Sequence, residues 1–407
     1  MTAPADTSFR WDRMTVACVL SFCVLVCGLG VGVVLGELRE QLGLSGLVAA
    51  AHGSTYGVGL LVAACFGLSI VHRIGRTRTY WGSCATVVVG VLLLCVGQSW
   101  PVTLLGTAIS GVSCAMLVML MPGIVSDHHG SGMAGAFAAI NGVPGLAAVV
   151  FSIVIGASLA LGLSWRWPYA LVTLGFAGAT FVAARGAPLP SGEPARPDVR
   201  ALFVRRDVRR PLFDIVHAIL VEFPIGVWAI VYLKEVGGAS SGLAAALGAV
   251  WGVAMMGSRL AVPAMTRHLG AWTRSVGFGV AAVGSTMLWL GPGLWPRVFW
   301  LLVVGVGVGP LYPLTVEQMY RRTAADSVSL GAVAALGAAV AIMTGPLLVG
   351  VLDDRIGLRG AILFVPVLAA IGVFTARPRA TLVAESAEIP TNLQPDLVRD
   401  AADDVRS

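Results

Sequence analysis

The feature that most constrains this chain is a series of twelve apolar stretches that occupies nearly all of it, from Met14 to about Thr375. The apolar core of a bilayer is about 30 Å thick, so a helix needs roughly 20 apolar residues to cross it. Backbone groups in lipid must be paired within the segment, which favours helices over open strands. The sequence therefore predicts an all-α polytopic membrane protein with twelve transmembrane helices. They are predicted at 14–36, 46–71, 80–98, 102–125, 132–162, 166–184, 212–233, 241–265, 274–291, 297–319, 327–352 and 358–376.

Composition supports this prediction and excludes other classes of protein. Hydrophobic residues make up 57% of the chain and charged residues only 12%, whereas about a quarter of a soluble domain is charged. The seven cysteines lie in apolar stretches without metal-ligand spacing. The predicted membrane-embedded residues contain no nucleophile–base pair and no phosphate-binding loop. We therefore expect neither an enzyme nor a bound metal or cofactor, and the net charge of +6 does not indicate a nucleic-acid partner.

Basic residues are distributed unevenly between the two sides of the predicted helices. With the N-terminus in the cytoplasm, the external loops carry six of the 27 Lys and Arg residues and twenty lie on the cytoplasmic side. Arg259 is set aside because it lies within a predicted helix. The positive-inside rule then predicts a multi-pass protein of the cell inner (plasma) membrane, with both termini in the cytoplasm.

The longest polar interruption divides the helices into two groups of six. It carries seven arginines, which predicts a topological role and contact with anionic membrane lipids. The polar, acidic C-terminal end is predicted to be disordered. The expected organisation is a cytoplasmic tail (1–13), a six-helix bundle (14–184), a basic cytoplasmic linker (185–211), a second six-helix bundle (212–376) and a disordered cytoplasmic tail (377–407).

The two halves are weakly similar in sequence. HGSTYGVGLLVA from His52 aligns with LGAVWGVAMMGS in the second half, which pairs Tyr56 with Trp251. The same offset of 195 residues brings HRIG at His72 onto RHLG. Parallel six-helix repeats predict two pseudo-symmetric bundles related by an axis along the membrane normal. Bundles that rock about a site between them are typical of a transporter that works by alternating access.

The loop between the second and third predicted helices carries a signature. Its sequence is LSIVHRIGRTR, in which Arg73, Gly75 and Arg76 match Gly-x-x-x-Asp-Arg-x-Gly-Arg, while Leu68 replaces the leading glycine and His72 the aspartate. With this loop and its topology, the chain resembles the major facilitator superfamily over nearly its whole length. The resemblance implies that Arg73, Gly75 and Arg76 belong to a cytoplasmic gate, to which we assign Arg259 as well. In the alternative interpretation, the loop arginines serve only the topology.

Helices 7 and 8 carry a second pattern, formed by Glu222, Trp228, Tyr232, Trp251 and Arg259. It resembles fucose-permease-like members of the superfamily over about forty residues. The resemblance does not extend to the coupling carboxylates of the first half, since helix 1 lacks a central aspartate and helix 4 a buried glutamate. Fucose symport is therefore not implied for this chain.

Glu222 is the acidic residue that we place closest to the membrane midplane. A carboxylate at this depth is costly, so it should face a cavity or stay protonated. A group that changes its charge with its surroundings can load and release a proton as access alternates. We therefore predict that Glu222 couples transport to protons and that His217, nearer the cytoplasm, extends the proton path. The alternative is a neutral Glu222 that is hydrogen-bonded across the bundle interface.

The substrate site is predicted between the two halves. Its candidates are aromatic and polar residues on helices 2, 5, 7, 8 and 10 that lie near the centre of the membrane or towards its outer side. They are His52, Tyr56, Asn141, Trp228, Tyr232, Trp251 and Tyr312. Tyr312 lies beside glycine and proline residues where helix 10 should bend. His52 is interpreted either as a ligand or as a packing histidine.

The predicted cavity indicates the kind of substrate. A sugar site needs several amide and charged side chains, but the chain has only two asparagines, Asn141 and Asn392. A cavity lined by aromatic residues suits a lipophilic compound, which usually enters a cell unaided and needs energy to be expelled. We therefore predict proton-coupled export (efflux) of a small lipophilic or amphipathic drug or secondary metabolite by a monomer. The alternatives are proton-coupled uptake of a sugar or organic acid and, more remotely, a transporter-like membrane receptor.

Overall fold

The computed structural model describes residues 11–185, 188–190, 202, 205–323 and 327–378. Within these ranges the protein consists of twelve helical spans, α1 to α12, without strands. The first half holds α1 (Arg13–Leu29 and Val31–Leu42), α2 (Gly46–Ile74), α3 (Arg76–Val96), α4 (Trp100–His129), α5 (Met133–Ala160) and α6 (Arg166–Ala184). The second half holds α7 (Arg206–Glu235), α8 (Ser241–Leu247 and Ala249–Leu269), α9 (Thr273–Leu290), α10 (Leu294–Val308 and Leu311–Arg322), α11 (Ser327–Ala361) and α12 (Phe364–Thr375).

The lengths of these helices fit a membrane-spanning protein. Ten segments are long and apolar enough to cross a bilayer, and one of them, Ser241–Leu290, contains both α8 and α9. The last helix, Phe364–Thr375, is apolar but shorter. The predicted class, an all-α polytopic membrane protein with twelve helices, is therefore confirmed.

The two halves repeat each other in structure. Three pairs of glycines with positive φ end or break helices at equivalent places: Gly43 and Gly238, Gly75 and Gly270, and Gly162 and Gly357. The members of each pair are 195 residues apart, which is the offset found in the sequence. A residue with a Cβ rarely adopts a positive φ, so these turns need glycine. The repeat therefore extends to the geometry of the turns.

Several boundaries differ from those predicted. Helix α7 begins at Arg206 rather than at 212, because Asp207 and the basic residues after it continue the helix through Pro211. Helix α11 continues to Ala361 across a break at Gly357. The predicted tails 1–13 and 377–407 and the linker 185–211 lie largely outside the described residues. All seven cysteines are free thiols, and six of them are buried.

The halves are in close contact at one end of the molecule, and the helices that make this contact carry exposed glycines towards the other end. At the end that holds the turns after α1, α5, α7 and α11, a Cβ built on Gly156 of α5 would lie 2.6 Å from the carbonyl oxygen of Gly242 of α8. Towards the opposite end, a Cβ on Gly142 or Gly257 would have no neighbour within 4 Å. We call these two ends the closed face and the terminal face, since α1 begins and α12 ends at the latter.

Candidate functional site

A cavity of about 240 Å³ lies between the two halves near the middle of the helices. It is lined from the first half by α1, α2 and α4 and from the second half by α7 and α8. The lining residues are Gly28, Leu29, Val31, Gly32, His52, Gly53, Thr55, Tyr56, Thr107, Glu222, Phe223, Gly226, Val227 and Trp251. This volume is below the roughly 300–1,000 Å³ of pockets for drug-sized ligands, so the cavity as it stands fits a molecule smaller than these.

The charged group of the cavity is Glu222, which is paired with Arg259. Nη2 of Arg259 donates to Oε1 of Glu222 over 2.9 Å, and the glutamate side chain is 12% exposed while the arginine is 45% exposed. The second oxygen, Oε2, is buried without a hydrogen-bond partner among the described residues. A buried carboxylate oxygen without a donor is costly while it is charged. Protonation or a ligand that donates a hydrogen bond would remove that cost.

The position of Arg259 follows from a break in α10. Pro313 has no N–H, so the carbonyl of Gly309 lacks the backbone donor that a helix would supply four residues later. Nε of Arg259 donates to this oxygen over 3.3 Å. The break between Val308 and Leu311 thus fixes the guanidinium beside Glu222. Arg259 was predicted as part of a cytoplasmic gate, and its ion pair places it in the second half next to the cavity.

Aromatic side chains form part of the cavity wall. Tyr56 of α2 and Trp251 of α8 both line it, from opposite halves, together with Phe223. Gly226 of α7 gives room to the indole, because a Cβ there would lie 3.3 Å from Nε1 of Trp251. Gly53 likewise faces Val227, whose Cγ1 would be 2.6 Å from an added Cβ. The close approach of α2, α7 and α8 therefore requires small residues at these positions.

His52 lines the cavity, but both of its ring nitrogens are engaged in the first half. Nδ1 lies 2.8 Å from the carbonyl oxygen of Val48, and Nε2 lies 3.0 Å from Oγ1 of Thr103. Since a carbonyl only accepts, Nδ1 carries a proton, and Nε2 shares a hydrogen bond with the threonine hydroxyl. The side chain is fully buried. The geometry of His52 is thus that of a satisfied packing histidine at the cavity wall.

Five other residues that were predicted for the proton path or the substrate site lie outside the cavity lining. His217 is bonded through Nε2 to the carbonyl of Leu368 and stacks on Phe278, within the second half. The remaining four divide into two buried aromatic residues of α7, an exposed amide of α5 and a partly buried tyrosine of α10. They are Trp228 and Tyr232, which are 0% and 1% exposed, Asn141, and Tyr312.

The orientation of three of these side chains has a visible cause. Nε1 of Trp228 donates to the carbonyl of Pro346 in α11 over 3.3 Å, and the guanidinium of Arg39 in α1 lies 5.9 Å from the centroid of its ring, so the indole packs between the halves beside the closed face. Nδ2 of Asn141 donates to the carbonyl of Phe137, one turn back in the same helix. Tyr312 packs with Tyr56 around a small apolar cluster of α7 and α11. It is therefore a neighbour of the cavity wall.

The signature loop between α2 and α3 forms a tight connection at the terminal face. Gly75 has φ 87°, which permits α3 to start directly at Arg76. The Arg76 side chain is 5% exposed, and its guanidinium forms a 2.5 Å ion pair with Asp127 near the end of α4. Arg73 is exposed in the last turn of α2. The ion pair of Arg76 therefore lies within the first half.

The closed face carries a network of ion pairs between the halves. Lys234 of α7 lies 2.6 Å from carboxylate oxygens of both Glu37 and Glu40 of α1. Arg39 of α1 pairs with Glu235 at 3.2 Å and with Asp353 of α11 at 2.7 Å. Sequence reasoning used these basic residues only to assign topology. Their position beside acidic residues at neighbouring helix ends was the signal that could have predicted the network.

A helix terminus reinforces the same face. The Asp354 carboxylate of α11 accepts hydrogen bonds from the backbone N–H groups of Gly46 and Leu47, over 2.5 and 2.9 Å. These donors are free at the start of α2, where a negative charge is also favoured by the helix dipole. A residue of the second half thus caps a helix of the first half and joins the two halves at the closed face.

Comparisons with known proteins agree on one family and one fold. The sequence model of the Major Facilitator Superfamily matches residues 17–329. No curated protein sequence matches the chain. Two solved structures of a bacterial homologue of the human lysosomal transporter Spinster superpose with TM-scores of 0.72 (inward-facing and occupied) and 0.74 (inward-facing and unoccupied). Each is 12% identical and covers 89% of this chain, with 94% and 95% of its own chain matched.

A variant of the nucleoside transporter NupG gives a similar result. Its TM-score is 0.71 at 12% identity, and the match covers 89% of this chain and 98% of that one. At this identity the likeness concerns the fold alone.

Proposed function

Because the chain belongs to the major facilitator superfamily and has the fold of its transporters, we propose that it is a proton-coupled exporter of a small lipophilic or amphipathic compound. The observation that carries the proposal is the cavity between the halves, where the Glu222 carboxyl group is buried beside Arg259. In this proposal the two bundles rock about the cavity so that it opens to each side of the membrane in turn.

The proposed orientation places the terminal face in the cytoplasm and the protein in the inner membrane. Basic residues support it, since only six of the 27 lie at the helix ends of the closed face. In this proposal the terminal face is the open one, which gives an inward-facing state like that named for the two Spinster homologue structures.

Proton coupling is assigned to Glu222 on the basis of its two oxygens. Oε1 is held by Arg259, whereas Oε2 is buried without a partner. With the terminal face open, the proton leaves and the carboxylate pairs with Arg259. With the opposite face open, a proton binds Glu222 and weakens the ion pair. The charge of Glu222 near the substrate thus depends on the side to which the site is open. This dependence couples the movement of the proton to the movement of the substrate.

The nature of the substrate is inferred from the lining. The described lining residues include no Asn or Gln, and the side chains of Tyr56, Phe223 and Trp251 offer large apolar surfaces. Thr55 and Thr107 donate their hydroxyl protons to backbone carbonyls in their own helices. Few groups remain to satisfy the hydroxyls of a sugar, which favours a compound with few polar atoms.

Transport in proteoliposomes tests this proposal as a whole. Vesicles with an imposed pH gradient should accumulate a lipophilic substrate, identified beforehand from reduced accumulation in a host that lacks its own exporters. Counterflow without a gradient should also occur. Accumulation of sugars or organic acids, with no movement of any lipophilic compound, would instead support uptake as the function.

Topology is tested by cysteine labelling in a variant without native cysteines. A cysteine at Gln98, in the exposed turn between α3 and α4, should react with an impermeant maleimide in intact cells. A cysteine at Arg185, exposed at the end of α6, should react only with a permeant reagent. The reverse labelling pattern would overturn the proposed orientation.

Substrate contact is tested at Trp251. Replacing it by alanine should weaken substrate binding by about 1–3 kcal/mol, or roughly 5- to 150-fold, because an aromatic contact within the cavity is lost. Trp167, which is 73% exposed on α6, is the matched control and should tolerate alanine. The affinity of each variant for the substrate is measured on folded, detergent-purified protein. Equal affinities for the parent and the Trp251→Ala variant would exclude the cavity wall as the binding surface.

A further inference from the structure

Three side chains at the terminal face bring together the donor atoms of a metal site. Asp12 precedes α1, whereas His128 and His129 occupy the last turn of α4. One ligand atom from each residue lies within 4.8 Å of the others. We propose that these three residues bind a divalent transition-metal ion, for which Zn²⁺ is the probe. This site lies within the first half, away from the cavity and from the proposed transport cycle.

The spacing of the donors fits one ion. For three atoms that are all within 4.8 Å of one another, a point exists no farther than about 2.8 Å from each of them. Zinc bonds to histidine nitrogen and carboxylate oxygen are about 2.0–2.2 Å long. Movements below about 1 Å therefore bring all three donors to bonding distance. Side-chain rotations alone supply such movements at a surface.

Existing hydrogen bonds already hold the donors towards one another. Nε2 of His128 donates to Oδ2 of Asp12 over 2.6 Å, and Oδ1 of Asp12 accepts from the backbone N–H of Thr15 over 2.7 Å. His129 shares a 2.7 Å hydrogen bond with Oγ1 of the same threonine. The two imidazole rings are 4.7 Å apart in an edge-to-face arrangement. Binding of a metal ion would release the proton between Asp12 and His128 to water, and these two donor atoms would move apart by side-chain rotation to admit the ion.

The chemistry of the donors selects the class of ion. Two imidazoles and one carboxylate suit zinc and other first-row transition metals, whereas calcium and magnesium prefer oxygen donors. The site also lies at the carboxyl end of α4, where the helix dipole favours a positive charge. Three protein donors leave further coordination positions for water. The bound ion would link the start of α1 to the end of α4.

Zinc titration of the untagged, full-length protein in detergent tests the proposal. One equivalent should bind, and His128→Ala, His129→Ala and Asp12→Asn should each lower the affinity by at least about tenfold, since one of three bonds is lost. The matched controls are His72→Ala and His268→Ala, which change exposed histidines in the last turns of α2 and α8. These should bind zinc like the parent.

A second measurement avoids substitution. Zinc should protect His128 and His129 from diethyl pyrocarbonate, as read by mass spectrometry, while His72 and His268 in the same sample react equally with and without the metal. Stoichiometric binding that the three variants leave unchanged, absence of one-to-one binding, or lack of selective protection would each overturn the proposal.

Discussion

Glu222→Gln should reduce transport driven by a pH gradient to the level of empty vesicles. Glutamine keeps the shape of the side chain and can still accept a hydrogen bond from Arg259, so the protein should fold as before. Glutamine does not bind or release a proton near neutral pH. The side chain at position 222 then no longer changes its charge as the site opens to one side and then the other. Proteoliposomes with an imposed gradient measure the driven rate, and counterflow without a gradient measures substrate exchange.

The two assays together identify the defect. Counterflow should persist in Glu222→Gln, because exchange of substrate for substrate needs no net proton movement. The matched control is Glu317→Gln, since Glu317 is a half-exposed glutamate of α10 that also pairs with an arginine, Arg321, at 2.8 Å. That variant should transport like the parent. Parental gradient-driven transport by Glu222→Gln would show that another group carries the proton.

Gly156→Val should open the closed face and abolish transport. A Cβ at Gly156 would lie 2.6 Å from the carbonyl oxygen of Gly242 and 2.7 Å from the amide nitrogen of Ala246, and these backbone atoms have little freedom to move aside. Helices α5 and α8 must then separate by about 2 Å or more, since only small residues permit contact closer than the usual 8–10 Å between axes. The alternation of access stops when one face no longer closes.

Spin labels at positions 98 and 295, on the two halves at the closed face, measure this opening by pulsed electron resonance. Their separation should increase in Gly156→Val and also in Gly242→Val, whose Cβ would lie 2.6 Å from the amide nitrogen of Ala160. Gly175→Val is the matched control in α6, because its Cβ has no neighbour within 4 Å. If both interface variants kept the parental distance and rate, backbone contact between α5 and α8 would not be what seals this face.

The cavity illustrates how far sequence reasoning reached. The alignment of the halves paired Tyr56 with Trp251, and the rarity of acidic residues at membrane depth singled out Glu222. All three residues line the cavity. By contrast, Trp228 and Tyr232 were chosen from the same helix as Glu222 but are buried within the protein. Their residue types alone did not indicate their direction around the helix axis.

The partner of Glu222 required the tertiary structure. Arg259 lies 37 residues further along the chain, and its place depends on the carbonyl that the break at Gly309 exposes in α10. The closed-face network has the same character, since Arg39 and Asp353 belong to opposite ends of the sequence. Ion pairs of this kind depend on which helix ends meet, and neither hydropathy nor local spacing contains that information.

The sequence by itself determined the membrane class, the number of spans, the 195-residue repeat and the family resemblance, because each depends on local hydropathy or on short motifs. The tertiary structure alone decided which side of each helix faces the cavity, which charges pair and which face is closed. In a soluble helix, an apolar stripe marks the buried side. In a membrane, lipid and protein interior are equally apolar, so that stripe disappears and only the packing of the helices orients their side chains.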